Sequence, residues 1–283
     1  MSTSVLFDVP GPRTRARHRI YTAIAAVVLL ALTAFLVWKF AEAGQFEGDL
    51  WEPLVTPRYV QALLEGLLVT LQMAFTAVLG ALVFGVLFGV GKLSDHAWVR
   101  WPCWAVVEFF RAVPLLIMLI FIFYLWFIRS GDPGEYWSVV IALTLYNGAV
   151  LAEVFRAGIL AVPHGQAEAA YAIGMRKTQV MALVLLPQAV KIMLPAIISQ
   201  CVVALKDTSL GYVVTASVLT TVGEAIYLQF QNQIPTVFVV ALMYISVNLV
   251  LTAIATWAQK RYVGEQKPLE VGNTGADPNA ALL

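Results

Sequence analysis

Four ionisable residues lie inside apolar stretches of this chain, and their spacing is the first feature in it that could do chemistry. Glu108 and Arg111 are three residues apart, as are Glu153 and Arg156. On a helix that spacing puts both members on one face. A charged group within a membrane-spanning helix costs about 2.5–3.5 kcal/mol on insertion scales, so each asks for a partner or a water-lined path. Counted in from Pro102 and from Ala161, Arg111 and Glu153 fall roughly 12–14 Å from one boundary at ~1.5 Å per residue, so the pairs are expected to meet near the midplane. Two readings stay open. One is an ion network that fixes helix packing; the other is a substrate path in which an Arg meets an α-carboxylate and Glu153 an α-ammonium. Asn147, deeper in the stretch that holds Glu153, is a candidate gate or hydrogen-bonding group. Lys206, Asp207, Thr208 and Ser209 interrupt another apolar run near its end. They read either as a solvated loop or as a helix break lining a cavity, where freed backbone groups meet water or substrate.

Other chemistries find no footing. Gly91-Lys92-Leu93 glances at a phosphate loop, but Val86 stands where its first Gly belongs and Leu93 where Ser or Thr belongs. His18, His96 and His164 are scattered and suggest no metal site, and no convergent nucleophile set appears. Cys103 and Cys201 sit in apolar context and read as small core residues rather than as a disulfide or ligand pair. A net charge of +1 points to no nucleic-acid partner.

The elements that must position these residues are set by composition. The 283 residues are 60% apolar and 12% charged, where a soluble domain carries roughly 25% charged. This is the signature of an all-α integral membrane protein. Residues 1–19 are polar, with Arg13, Arg15, Arg17 and Arg19, and the run from Ile20 to Phe40 is long enough to span a bilayer. Trp38 and Lys39 within it argue for a retained helix rather than a cleaved signal. Further spans are expected at about Ala62–Gly91, Cys103–Ile128, Tyr136–Leu160, Val184–Leu205 and Pro235–Ala258, which makes six. Gly85-x-x-x-Gly89 in the second permits close helix approach. A polar turn is expected from Arg129 to Glu135, a broken or re-entrant stretch from Leu210 to Asn232, and a disordered tail over 264–283. Placing the N-terminus in the cytoplasm puts Lys92, Arg100, Arg176, Lys177, Lys260 and Arg261 inside, with only Arg58, Arg129 and Lys206 outside.

On that topology one cytoplasmic segment is unusually long, Val162 to Pro187. Gln166 to Ile173 reads as one short helix and Met175 to Leu185 as another, with Gly174 between them and Pro163 and Pro187 bracketing the unit. Within it Glu168-Ala169-Ala170, three residues, Gly174, nine residues, Val184, one residue, Leu186-Pro187 resembles the EAA motif of ABC importer permeases, with Val for Ile as the departure. Arg111–Leu116, Ala152–Ile159, Val162–Gln166 and Leu205–Leu210 resemble the permeases for polar amino acids of the histidine, glutamine and glutamate type. Ala112 departs from the Gly, Ser or Thr frequent there. The resemblance covers about residues 59–261.

It implies a five-helix type I importer core with Ile20–Phe40 as an added helix. It implies a coupling helix near 164–176 that carries His164, Gly165, Glu168, Ala169, Ala170 and Gly174 onto a separate ATPase. The expected partners are a second permease chain, identical or paralogous, two ATP-binding subunits, an extracytoplasmic substrate-binding protein and the lipid of a bacterial plasma membrane. ATP and Mg would be used by the ATPase, with no cofactor in this chain and no bond chemistry of its own. Glutamate, with glutamine or aspartate behind it, is the expected substrate. An ion- or proton-coupled secondary transporter, with the four charges as a relay, is the alternative; it would favour inverted repeats, and none is visible.

Overall fold

A computed structural model describes residues 12–127 and 134–263. The expectations for residues 1–11, for most of the turn from Arg129 to Glu135 and for the tail at 264–283 lie outside the described residues. Every regular element among those described is helical. In chain order they are α1 (Pro12–Glu42), α2 (Gly48–Val55), α3 (Pro57–Gly91), α4 (Ala97–Ala112), α5 (Leu115–Ile122, continued by a wide π-turn at Phe123–Phe127), α6 (Glu135–Leu160) and α7 (His164–Ala172). They continue as α8 (Lys177–Gln179), a π-helical stretch at Val180–Leu185, α9 (Leu186–Asp207), a 3-10 stretch at Thr208–Val214, α10 (Leu219–Phe230) and α11 (Gln233–Val263). Five of these stretches are long and apolar enough to cross a membrane, or six if α4 and α5 count together as one broken span.

The described residues divide into two compact units, 12–61 with 223–239 and 62–222 with 240–263. In the first, α1 is exposed on all its faces, as an apolar rod in lipid would be. A knot elsewhere in this unit is polar and specific. Asn232 is fully buried, donates from Nδ2 to Leu50 O at 2.7 Å and accepts from Thr236 Oγ1 at 3.0 Å. Trp51 stacks edge-on to Phe238 and Tyr59 to Phe230.

The second unit is built around α6, which packs against α4, α5 and α9. Lipid tails are as apolar as Leu, so close packing rather than hydrophobicity must hold such helices together. Small residues supply the approach. A Cβ added at Gly85 would lie 2.8 Å from Leu151 Cβ, and one at Gly89 would lie 2.8 Å from Ala152 O. The Gly-x-x-x-Gly pair on α3 is therefore the seat of α6. Met73 and Ala77 on α3, Leu115 and Leu119 on α5 and Val139 and Leu143 on α6 form one core, and Ala81 on α3, Leu151 and Phe155 on α6 and Ala189 and Met193 on α9 form a second.

Three expectations change. The third span is not one rod, because Val113 is extended, Pro114 follows it, and α4 and α5 meet at 100°. Proline has no N–H to donate and pushes the residue before it out of the helical region, so the chain turns there. The second span begins at Pro57, earlier than Ala62. Pro187 ends nothing: the chain from Lys177 to Val214 is one helical span of 38 residues, and the stretch expected as a separate short helix is its first part. The five-residue turns at Val180–Leu185 give the ring of Pro187 the room that α-helical turns would deny it.

Candidate functional site

The EAA-like segment folds as a short helix with a built stop. Pro163 caps the N-terminus of α7, and Gln166 N donates back to Pro163 O at 3.0 Å. At the other end Gly174 N donates to Tyr171 O at 2.9 Å and Met175 N to Ala170 O at 3.2 Å, with Gly174 at φ +81°. This is the left-handed Schellman ending, which an L side chain resists. Of the residues expected here, His164, Gly165, Glu168, Ala169 and Gly174 are exposed and only Ala170 is buried. A Cβ added at Gly165 or at Gly174 would meet nothing. Glu168 has no ion pair or side-chain hydrogen bond among the described residues.

Beneath that free face, α7 is tied down. Val162 and Val180, on either side of it, are buried, and Gln188 on α9 donates to Gln166 Oε1 at 3.3 Å. Lys177 pairs with Asp95 in the link between α3 and α4, and this hydrogen bond holds the Asp95 carboxyl below the usual carboxylate range.

The two charged pairs are joined, but not to each other. Each is bonded within its own helix: Arg111 Nη1 lies 3.2 Å from Glu108 Oε1, and Arg156 Nε lies 2.9 Å from Glu153 Oε2. The connection between them is Lys92, whose ammonium pairs with Glu153 and stands 3.3 Å from Glu108 Oε1. Lys92 is 8% exposed. It is the first residue past the end of α3, so the cluster gathers about that end of the helix.

The remaining candidates lie apart from this cluster. Asn147 is 1% exposed; it donates to Leu143 O at 3.0 Å and accepts from Gln200 Nε2 on α9 at 2.6 Å. Gln200 was not singled out by sequence, although an uncharged polar group in an apolar run, facing another in a neighbouring span, is the available signal. Lys206 and Asp207 end α9, and Thr208 and Ser209 open the 3-10 stretch. Lys206 is exposed; Thr208 is buried, its hydroxyl donating to Leu205 O at 2.5 Å. Lys206 and Ser209 line a cavity of about 440 Å³ with Tyr244, Asn248 and Thr252 of α11. Asn248 Oδ1 is buried with no hydrogen-bond partner among the described residues. Such an acceptor is costly to leave unmatched, and a donor from outside the chain would satisfy it.

Comparison with known proteins places these features. Residues 81–264 match the model of the binding-protein-dependent transport system inner membrane component family. The chain is 40% identical over 222 residues to the glutamate transport system permease protein GluD of Corynebacterium glutamicum, covering 77% of this chain and 81% of that protein. It is 30% identical over 207 residues to the glutamate/aspartate import permease protein GltK of Escherichia coli O157:H7, covering 70% and 92%. Among solved structures, the crystal structure of an amino acid ABC transporter with histidines aligns with TM-score 0.68 and 29% identity over 74% of this chain and 97% of that one. An inward-facing MetNI methionine ABC transporter shares the fold, with TM-score 0.65 at 20% identity over 73% of this chain and 99% of that one.

Proposed function

The chain belongs to the family of binding-protein-dependent transport system inner membrane components, and from that premise we propose that it carries glutamate across a bacterial plasma membrane. It is a multi-pass permease of the amino-acid ABC importer type. Glutamate is favoured over other amino acids by two similar permeases whose names specify it. Aspartate and glutamine come next. The family assignment does not favour the ion-coupled alternative.

The observation that carries the mechanism is the exposed α7 with its unpaired Glu168. A carboxylate held out on a short rigid helix, beside two glycines with open space above them, suits a surface that another protein grips. In this reading a separate ATPase, using ATP and Mg, docks on His164, Gly165, Glu168, Ala169, Ala170 and Gly174, and this side of the membrane is the cytoplasm, with both chain termini on it. A second permease chain and an extracytoplasmic binding protein complete the importer. Closure of the ATPases moves α7, and α7 moves α9 through the helical continuity from Lys177 to Val214 and the Gln166–Gln188 bond.

Substrate would pass the polar groups on α9 and α11. Lys206 offers an exposed ammonium to a carboxylate, Ser209 and Asn248 offer hydrogen bonds, and the Asn147–Gln200 pair stands below as a gate that opens by exchanging partners. Asp207 and Thr208 shape the helix break. Glu108, Arg111, Glu153 and Arg156, bound up with Lys92, serve here as the brace that holds α4 and α6 to the end of α3 while the path changes shape.

The test is a Glu168→Ala permease, reconstituted with its ATPase and binding protein in vesicles. Uptake of labelled glutamate is expected to fall about tenfold while the assembled protein keeps its thermal stability. Uptake at the parental rate without any ATPase present would sink the reading.

A further inference from the structure

A cavity of about 520 Å³ opens beside the ion cluster, walled by Trp101 and Trp104 of α4 and by Arg100 and Arg156, with Lys92, Glu108 and Glu153 at its base. Its charge is unbalanced. Its lining carries three cations, Lys92, Arg100 and Arg156, and two carboxylates, Glu108 and Glu153, which leaves one positive charge over. Arg156 commits Nε to Glu153, and Arg100 commits Nη1 to Ser94 O at 3.0 Å. Further guanidinium N–H groups on each remain to be matched, and a guanidinium meets a phosphate through two parallel bonds.

The walls say where such a phosphate would come from. Trp101 and Trp104 are 62% and 48% exposed and pack edge to face at 5.8 Å, with Trp98 beside them 76% exposed. Three exposed indoles within seven residues at the start of α4, level with the end of α3, match the aromatic belt at a membrane–water boundary. A free anion would gain little from indole walls, whereas a lipid would lay its glycerol and upper acyl chains against them. Basic pockets between helices at that depth hold anionic lipid head groups. We propose that this cavity binds the head-group phosphate of an anionic phospholipid, with Arg100 and Arg156 as its donors and Trp101 and Trp104 as its rim.

The test is native mass spectrometry of the full-length permease, released from nanodiscs of mixed phosphatidylglycerol and phosphatidylcholine. Phosphatidylglycerol is expected to be retained in preference to phosphatidylcholine. Arg100→Gln, which leaves the Lys92 cluster whole, is expected to weaken that retention about fivefold, the worth of one cation near a charged membrane surface. Arg58→Gln, at the far end of α3, should change nothing, and millimolar inorganic phosphate should not displace the lipid. Equal retention of the two lipids would overturn the proposal, as would equal losses in the two Arg variants. Displacement by inorganic phosphate would assign the cavity to a soluble anion instead. If the second permease chain covers it, phosphatidylglycerol will be retained by the isolated chain and lost from the assembled importer, and that result would also overturn the proposal.

Discussion

Two polar regions interrupt this apolar chain, and they resolve their polarity in opposite ways. Around Lys92, three helices bring cations and carboxylates together until each has at least one partner within the chain, with N–H groups of Arg156 left over at the cavity edge. On α7 the one carboxylate, Glu168, turns outward and has none among the described residues. Their glycines divide in the same way. Gly85 and Gly89 are filled by the helix packed on them, whereas Gly165 and Gly174 face empty space. The difference teaches where to look for work done on other molecules: a polar group satisfied at home holds structure, and one left open is available to a partner.

That contrast can be broken experimentally, most sharply at Lys92. Lys92→Met strips the shared cation from Glu108 and Glu153. Losing one partner of a buried pair costs about 3–5 kcal/mol, and because Arg111 and Arg156 still hold the carboxylates the loss is expected near the lower figure. Thermal unfolding in nanodiscs measures it, and an unchanged midpoint would mean that the cluster braces nothing. Gly85→Val should come next, at about 2 kcal/mol, because its side chain must displace Leu151. Gly174→Ala should cost about 1 kcal/mol of left-handed strain while lowering uptake further than that loss of stability explains. If uptake and stability fell in proportion, α7 would belong with Lys92 as a structural element.

The smallest effect is expected at Asp95, which is exposed and paired with Lys177. Its carboxyl releases its proton more readily when folded than when unfolded, so the pair adds stability above the ordinary carboxylate range. That contribution disappears as pH falls through the lowered folded value. The unfolding difference between the parent and Asp95→Asn should therefore be visible near neutrality and vanish in acid. A difference that persisted in acid would show that something other than the charge holds this link.

Much of this was legible in the residues. Tyr136–Leu160 was expected as a span and α6 covers Glu135–Leu160, since an apolar run between a polar turn and a proline leaves little choice. Gly174 was expected at a turn, and its positive φ is that turn. What stayed hidden depended on neighbours distant in sequence. Pro114 lies inside the stretch expected as one span, and the bend of 100° at it was not foreseen. Lys92 was not among the charges singled out by spacing, and only the carboxylates of α4 and α6 that reach it reveal its place. Gln200 was hidden as a single polar residue in an apolar run, and its meaning comes from Asn147, 53 positions away.

The widened stretch at Val180–Leu185 has a consequence of phase. Each five-residue turn carries one residue more than an α-turn, and at 3.6 residues per turn one extra residue rotates everything beyond it by about 100°. α8 and α9 are therefore set at an angle about the helix axis that a straight helix of the same sequence would not give. Deleting one residue between 180 and 185 would keep the helical span but shorten the spacing from Gly174 to Pro187 by one, and would turn α9 by about 100° relative to α8.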